Sequence, residues 1–587
     1  MKSRRRVFKG TLLAILTPGV LTFAGCSPND PAKTANNSDS LISAPSSARI
    51  DSIFAKVNRS DSPGCALGVY RAGKLVFAKG YGMANLEYAV PITASTRFDV
   101  ASVSKQFTAF AVTLLARRGK ISLDDNIRKY LTELPDFGTP VTIRQLIHQT
   151  SGLRAYEEAL MLTGWNRDHP LTRAEVIAYL LRQRELSFPP GDRHLYSATN
   201  YVILAMLVER VDGRKWAEFM SQEVFIPLGM THSLVRDDGY MIVPGRAEHY
   251  SPRNAGGFRK TKVWEFAYAV GSSNIVTTVE DLAKWDANFY DERVGGRGIT
   301  SMLTARAALN SGDSAEYASG LRIGEYRGLR TISHGGSGGG DYILLRFPDQ
   351  QFTTAVLCNL YQGAVTSSAL AYQVSDLYLE RALAPLAAAV ADTLAKPSVK
   401  LSESELARYA GVYRSVTEPD ERVEFVVHKG ELAEVYDSVP HPTVALGDGR
   451  FRESPFTFTF TSSTPSAAMH LAVTRPGYNG EFVRDTAPPF LPTASYLAQF
   501  QGTYQSTELD VVWTFRVVRD SLMLSRERFP SRAVASIERD VFLVTDQFDD
   551  GLATSVLKFG RKSSGEINAF RLSGDRVLGL KFVRTQP

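Results

Sequence analysis

The chain has 587 residues, 44% of them hydrophobic and 22% charged. That length suits about three domains, and that balance excludes global disorder and a polytopic membrane protein. The formal charge is +6, but Lys2, Arg4, Arg5, Arg6 and Lys9 lie in the first 25 residues with no acid, and without them it falls to +1, so a nucleic-acid partner has no electrostatic support.

Those basic residues open an export signal over residues 1–25: the apolar TLLAILTPGVLTFAGC follows, shorter than a membrane span and ending in small residues before Cys26. The LTFAGC end resembles the lipobox of bacterial lipoproteins, which implies lipidation at Cys26; cleavage to a soluble secreted form is the alternative. Arg5-Arg6-Val7-Phe8-Lys9 fits a twin-arginine export motif as well as it fits a plain n-region. Residues 26–48 are rich in Ser, Asn, Pro and Asp, the composition of a flexible tether. The expected location is the periplasmic side of a bacterial membrane, held only through a lipid anchor, or otherwise outside the cell.

The folded body opens near Ala48 with a helix, followed by strands CALGVYRAG and KLVFAKGYG around a short glycine turn. Next comes FDVASVSKQFTAF, where Ser102 and Lys105 stand in S-x-x-K spacing. At i, i+3 on a helix both side chains share a face, so a buried lysine can take the serine proton while the helix start faces developing negative charge. Phe107, Phe110 and Leu114 continue at helical spacing to a stop at Gly119, and Ser104 points elsewhere. On spacing alone, a serine capping an ordinary amphipathic helix is the commoner explanation of the pair. Ser555 and Lys558 repeat the spacing in a strand setting, which sends the two side chains to opposite faces.

A helix-rich middle follows. Strands return from about Gly320 to Leu360, and AVTSSALAYQVSDLYLERAL has helical periodicity, so residues 49–385 read as an α+β sandwich with a cleft. Cys65 and Cys358 sit in the strand-like runs CALGVY and TTAVLC and read as buried structural thiols. A bridge between them requires the two strands to be neighbours, which the sequence does not show. There is no H-E-x-x-H or C-x-x-C, and the glycine-rich run from Gly335 to Gly340 is not followed by G-K-[ST], so no metal or nucleotide cofactor is expected.

After a linker over 386–400 the character changes to short Val-, Phe-, Thr- and Tyr-rich runs broken by turn residues, the pattern of all-β domains. It also repeats: LARYAGVYRS at 406–415 matches LAQFQGTYQS at 497–506, and FVVHKGEL at 425–432 aligns with FRVVRDSL at 515–522. Two barrel-like modules, 401–490 and 491–587, follow from that period. His428-Lys429-Gly430 falls in a turn of the first.

Five segments in order carry a resemblance: Ser102-Val103-Ser104-Lys105, VTIRQLIHQTSGL at 141–153, FPPGDRHLYSATNY at 188–201, VGSSNIVTTVEDLAKW at 270–285 and ISHGGSGGGDY at 332–342. They resemble the landmarks of the serine β-lactamase and penicillin-binding-protein superfamily, its class C and esterase-like branch above all, over roughly residues 49–385. The resemblance implies an antiparallel sheet with helices on both faces and an acyl-enzyme on Ser102, with Lys105 as proton acceptor. Tyr196 would share the proton transfer, and His334, opening the third motif His334-Gly335-Gly336, would complete the catalytic set. Gly335 and Gly336 would let substrate approach the strand, and the N–H groups of Ser102 and Ser337 would make the oxyanion hole. Each C-terminal module resembles the small lipocalin-like barrel of some relatives, either a packing appendage or a ligand-binding or cleft-shaping unit.

One departure matters. Where relatives show Y-x-N this chain has Tyr196-Ser197-Ala198, and Asn200 is the only nearby substitute for the amide that holds substrate. With His334 in place of lysine, this favours a serine hydrolase of esters or small peptide or amide substrates. The alternatives are a D-alanyl-D-alanine carboxypeptidase, a weak β-lactamase, or a catalytically silent protein that binds peptidoglycan fragments or a partner.

Overall fold

The computed structural model describes residues 45–586, apart from 166–168, 254–255, 262–267, 362, 364, 386–398, 417–421, 437–438, 454–455, 463, 465–467, 476–477, 487–489, 549–550 and 575. The export signal, Cys26, most of the tether and most of the linker lie outside the described residues.

A six-stranded antiparallel sheet organises the first part. Its strands are β1 (Cys65–Arg71), β2 (Lys74–Tyr81), β3 (Arg322–Tyr326), β4 (Leu329–Ser337), β5 (Asp341–Phe347) and β6 (Phe352–Cys358), in the spatial order β3-β4-β5-β6-β1-β2. Both faces are covered, so the central strands are apolar almost throughout, and alternate residues of β1 enter different cores. Ala66 and Tyr70 face a large core with helices α1 (Lys105–Arg117), α2 (Ala198–Asp212) and α3 (Val279–Asp291). Leu67 and Val69 face a smaller one with Ile50, Phe54 and α4 (Ser367–Leu379). The expected antiparallel sheet with helices on both faces is the observed one.

The cysteine expectation needs correction. The first and last strands of this sheet in chain order meet where β1 pairs with β6, Cys65 stands directly opposite Cys358, and the two form a disulfide across 293 residues. They are buried, as expected, but not free thiols; what the sequence lacked was the register that makes them neighbours.

The two repeats form two nine-stranded barrel-like sheets with the same strand order, one from Gly411 to Arg484 and the other from Gly502 to Gln586. Matching residues do matching work. Tyr413 donates to the carbonyl of Tyr409 at 2.8 Å and Tyr504 to that of Phe500 at 3.0 Å. Each interior is filled with rings: Tyr413, Phe425, Phe458 and Phe460 in the first, Tyr504, Phe515, Phe559 and Phe570 in the second. Such packing gives a close-packed core rather than a ligand lumen. The H-x-G at His428 closes a hairpin between Arg422–His428 and Glu431–Tyr436. Ser555 and Lys558 lie on one strand, the first buried and the second exposed.

Candidate active site

The turn that carries Ser102 is built from strain and support. Ala101 has φ +46, a left-handed value that costs a residue with a side chain about 1–3 kcal/mol and persists only where the surroundings enforce it. Here the N–H of Val100 donates to the carbonyl of Ile275 at 2.9 Å, and α1 follows directly. Ala101–Ser104 is a 3-10 turn, in which side chains at i and i+3 eclipse one another. That turn brings Lys105 Nζ within 3.0 Å of Ser102 Oγ. Ser104 turns inward and accepts from the N–H of Ile275, as its expected orientation requires.

Lys105 is buried, and its second partner is the carbonyl of Ser272 at 2.9 Å. Among the described residues no carboxylate forms an ion pair with it. Helix α1 is fixed behind it by Gln106, whose Oε1 accepts from Trp285 Nε1 at 2.7 Å and also from Arg346, itself paired in the core with Asp286.

Tyr196 lies just before α2, its ring centroid 4.7 Å from Lys105 Nζ and 6.1 Å from the ring of His334. Its hydroxyl is buried and has no hydrogen-bond partner among the described residues. A buried hydroxyl without a partner is costly, and this one belongs to a ring packed against the Lys105 amine.

His334 is placed by its two nitrogens. Nδ1 lies 2.6 Å from the carbonyl of Gly335, which can only accept, so Nδ1 carries the proton and Nε2 accepts from the Tyr317 hydroxyl at 3.0 Å. Burial, then the neighbouring Lys105 charge, pushes its pKa down to about 3, so the ring is neutral at ordinary pH. Both nitrogens are occupied, and the imidazole braces the third motif. Tyr317 was invisible to sequence reading because a lone tyrosine in a loop carries no motif.

Strand β4 comes close to Ser102 because Gly336 has no side chain: a Cβ there would lie 2.4 Å from the carbonyl of Val100 and 3.1 Å from the nitrogen of Ser102. Gly335 is less crowded, its nearest contact being 3.5 Å away. Strand β3 pairs with β4 only as far as Ser333, so among the described residues no strand covers the outer edge from His334 to the exposed Ser337. An extended substrate can lie along that edge.

Asn200 requires correction as a substrate-binding residue. It is buried within α2, where its Nδ2 donates to Gln149 Oε1 and its Oδ1 accepts from Ser151 at 2.6 Å. Its amide is spent on the 149–151 turn, where Gln149 has φ +62, and a side chain on that helix turn points inward. Ala198, which occupies the third position of the motif, is itself buried.

Arg322 is a second residue that sequence reading missed. It stands exposed on β3 opposite Ser333, and its charge bears on His334, His194 and Tyr317. Among the described residues no carboxylate pairs with it.

Comparison with known proteins gives the family and the fold. The family described as Beta-lactamase matches residues 50–379. Penicillin-binding protein 4* of Bacillus subtilis (strain 168) is 27% identical over 304 residues, 49% of this chain and 66% of that protein. A D-aminopeptidase of Brucella anthropi is 28% identical over 322 residues, 54% of this chain and 59% of that protein. The chain thus spans less than two thirds of either relative. The octameric penicillin-binding protein homologue from Pyrococcus abyssi shares the fold, with TM-score 0.53 and 20% identity over 83% of this chain and 100% of that chain. With the family matched across more than half its length, the chain belongs to the Beta-lactamase family.

Proposed function

We propose that the protein is an exported serine hydrolase that forms an acyl-enzyme on Ser102 and cleaves small amide or peptide substrates bearing a free carboxylate. Residues 49–385 are its hydrolase unit, and 401–490 and 491–587 its barrel modules. The observation that carries this reading is the 3.0 Å contact between Ser102 and the buried Lys105, with Tyr196 against the same amine.

Ser102 Oγ attacks the acyl carbon while its proton passes to Lys105 Nζ. The oxyanion faces the N–H groups of Ser102 and Ser337 along the open edge of β4. Collapse breaks the bond to the leaving amine, which receives a proton through Tyr196, and water then repeats the attack to release the acid and restore Ser102. Neutral His334 gives no charge for substrate, whereas exposed Arg322 beside it suits a carboxylate. The names of the relatives, D-aminopeptidase and penicillin-binding protein, support amide or peptide chemistry. Esters are a second reading, favoured by Ala198 where an amide would hold a peptide-like side chain. Export, whether as a Cys26 lipoprotein or in soluble form, is supported by a buried disulfide suited to an oxidising compartment.

Matched peptides with a free or an amidated terminal carboxyl group test the reading. Ser102-dependent turnover that favours the free acid, with the preference lost in Arg322→Gln, is expected. Equal turnover of both forms contradicts the carboxylate assignment, and no turnover in either contradicts the hydrolase.

A further inference from the structure

The second barrel touches the catalytic tyrosine. Its hairpin between Ile567–Gly574 and Val577–Gln586 carries Arg576, whose guanidinium lies 5.0 Å from the Tyr196 ring centroid. Arg576 Nη1 is oriented by Glu158 Oε1 at 3.0 Å, and Glu158 is largely buried. The same hairpin is bonded to segment 154–155: the backbone N–H of Ala155 donates to the carbonyl of Arg576 at 3.3 Å, and the side-chain Nε of Arg154 donates to that of Leu578 at 3.0 Å. From the other side, Thr199 donates to the carbonyl of Arg154 at 2.8 Å and accepts from the N–H of Tyr156 at 3.0 Å. Thr199 is three residues beyond Tyr196, at the start of α2.

Segment 154–158 is therefore clamped between the barrel hairpin and the stretch of chain that carries Tyr196. With no hydrogen bond on its hydroxyl among the described residues, that ring is held by what lies around it: the Lys105 amine, the Arg576 guanidinium and the rings of Tyr317 and His334. A planar guanidinium over an aromatic face is attractive and fixes the ring's orientation.

We propose that Arg576 is a positioning residue for Tyr196, so that docking of the second barrel completes the active site. The proposal rests on the acyl-enzyme reading. Misplacing a group in a proton-transfer path by a fraction of an ångström lowers the rate without abolishing substrate binding.

The test is acylation by a fluorophosphonate and by a p-nitrophenyl ester, followed by intact mass, in the full chain and in Ser102→Ala, Arg576→Gln, Arg576→Lys and Arg571→Gln. Arg571 pairs with Glu185 across the same domain boundary but is half exposed and serves as the control. Arg576→Gln is expected to slow acylation on the order of tenfold or more, mainly in kcat with KM little changed. Arg576→Lys should recover part of the rate, and Arg571→Gln should match wild type. A wild-type rate in folded Arg576→Gln overturns the proposal. Should that variant fail to fold, Glu158→Gln carries the comparison, and an unchanged rate there overturns it too. Absence of a Ser102-dependent adduct in wild type instead overturns the hydrolase reading itself.

Discussion

The two barrels share a strand order, a sequence repeat and even the same tyrosine hydrogen bond, yet they are tied to the rest of the molecule in different ways. The second shares one continuous core with the hydrolase sheet and helices, while the first has a core of its own. The second is joined by a buried ion pair, Arg154 to Glu508 at 3.0 Å, with Tyr179 closing on the same carboxylate. The first reaches the second through partly buried charges, Arg422 to Glu538 at 2.5 Å, with Arg414 bound to the same carboxylate, which is itself 41% exposed. A repeated fold thus supplies two different attachments, one built into the catalytic unit and one beside it.

The largest break in that comparison should come from Arg154→Ala. It leaves Glu508 buried without its cation, a loss of about 3–5 kcal/mol, read as a lower denaturation midpoint for the hydrolase with its second barrel. Arg422→Ala, at a junction whose carboxylate stays open to water and keeps Arg414, should cost less, about 1 kcal/mol. Similar losses at both sites would dissolve the distinction.

Next in size is reduction of the Cys65–Cys358 bridge. It closes a loop of nearly 300 residues inside the hydrolase sheet, and its removal should cost about 2–5 kcal/mol. Calorimetry should show the hydrolase transition moving down under reductant while the first barrel's transition stays in place. A joint shift would mean that the barrels and the sheet unfold as one unit.

A smaller, directional effect belongs to the first barrel alone. Burial, reinforced by the adjacent Glu453, lifts the Glu434 carboxyl from 4.5 to about 7. Between those values the folded barrel keeps a proton that the unfolded chain has lost, so stability falls as pH rises through that window. The difference in melting temperature between wild type and Glu434→Gln should therefore change between pH 5 and pH 8. A constant difference would show that the carboxyl titrates normally.

The smallest expected effect is in the pH dependence of catalysis. Because His334 is neutral down to about pH 3, it should add no limb to the rate profile between pH 5 and pH 8. His334→Gln should lower activity through lost bracing without moving the profile's midpoints.

What the sequence made legible follows the same division between local and long-range information. Ser102 and Lys105 could be read because a helix start fixes their spacing, and the barrels because LARYAGVY and LAQFQGTY repeat. The strand setting of Ser555 and the turn setting of His428 could be read because strand and turn patterns are also local. Nothing local places Cys65 opposite Cys358, since that depends on the register of strands 293 residues apart. Asn200 looked available for substrate because helix rotation was unknown, and α2 turns it toward Gln149 and Ser151. Tyr317 and Arg322 lie in stretches without a motif, and Arg576 reaches Tyr196 from a module nearly 400 residues downstream.

The most direct measurement of the central claim is intact-mass spectrometry of the mature protein after exposure to a fluorophosphonate, in wild type and in Ser102→Ala. A single adduct in wild type, localised by peptide mapping to Ser102, absent in Ser102→Ala and strongly slowed in Lys105→Ala, is the predicted result. An unmodified wild-type protein, or labelling that persists in Ser102→Ala, would contradict it.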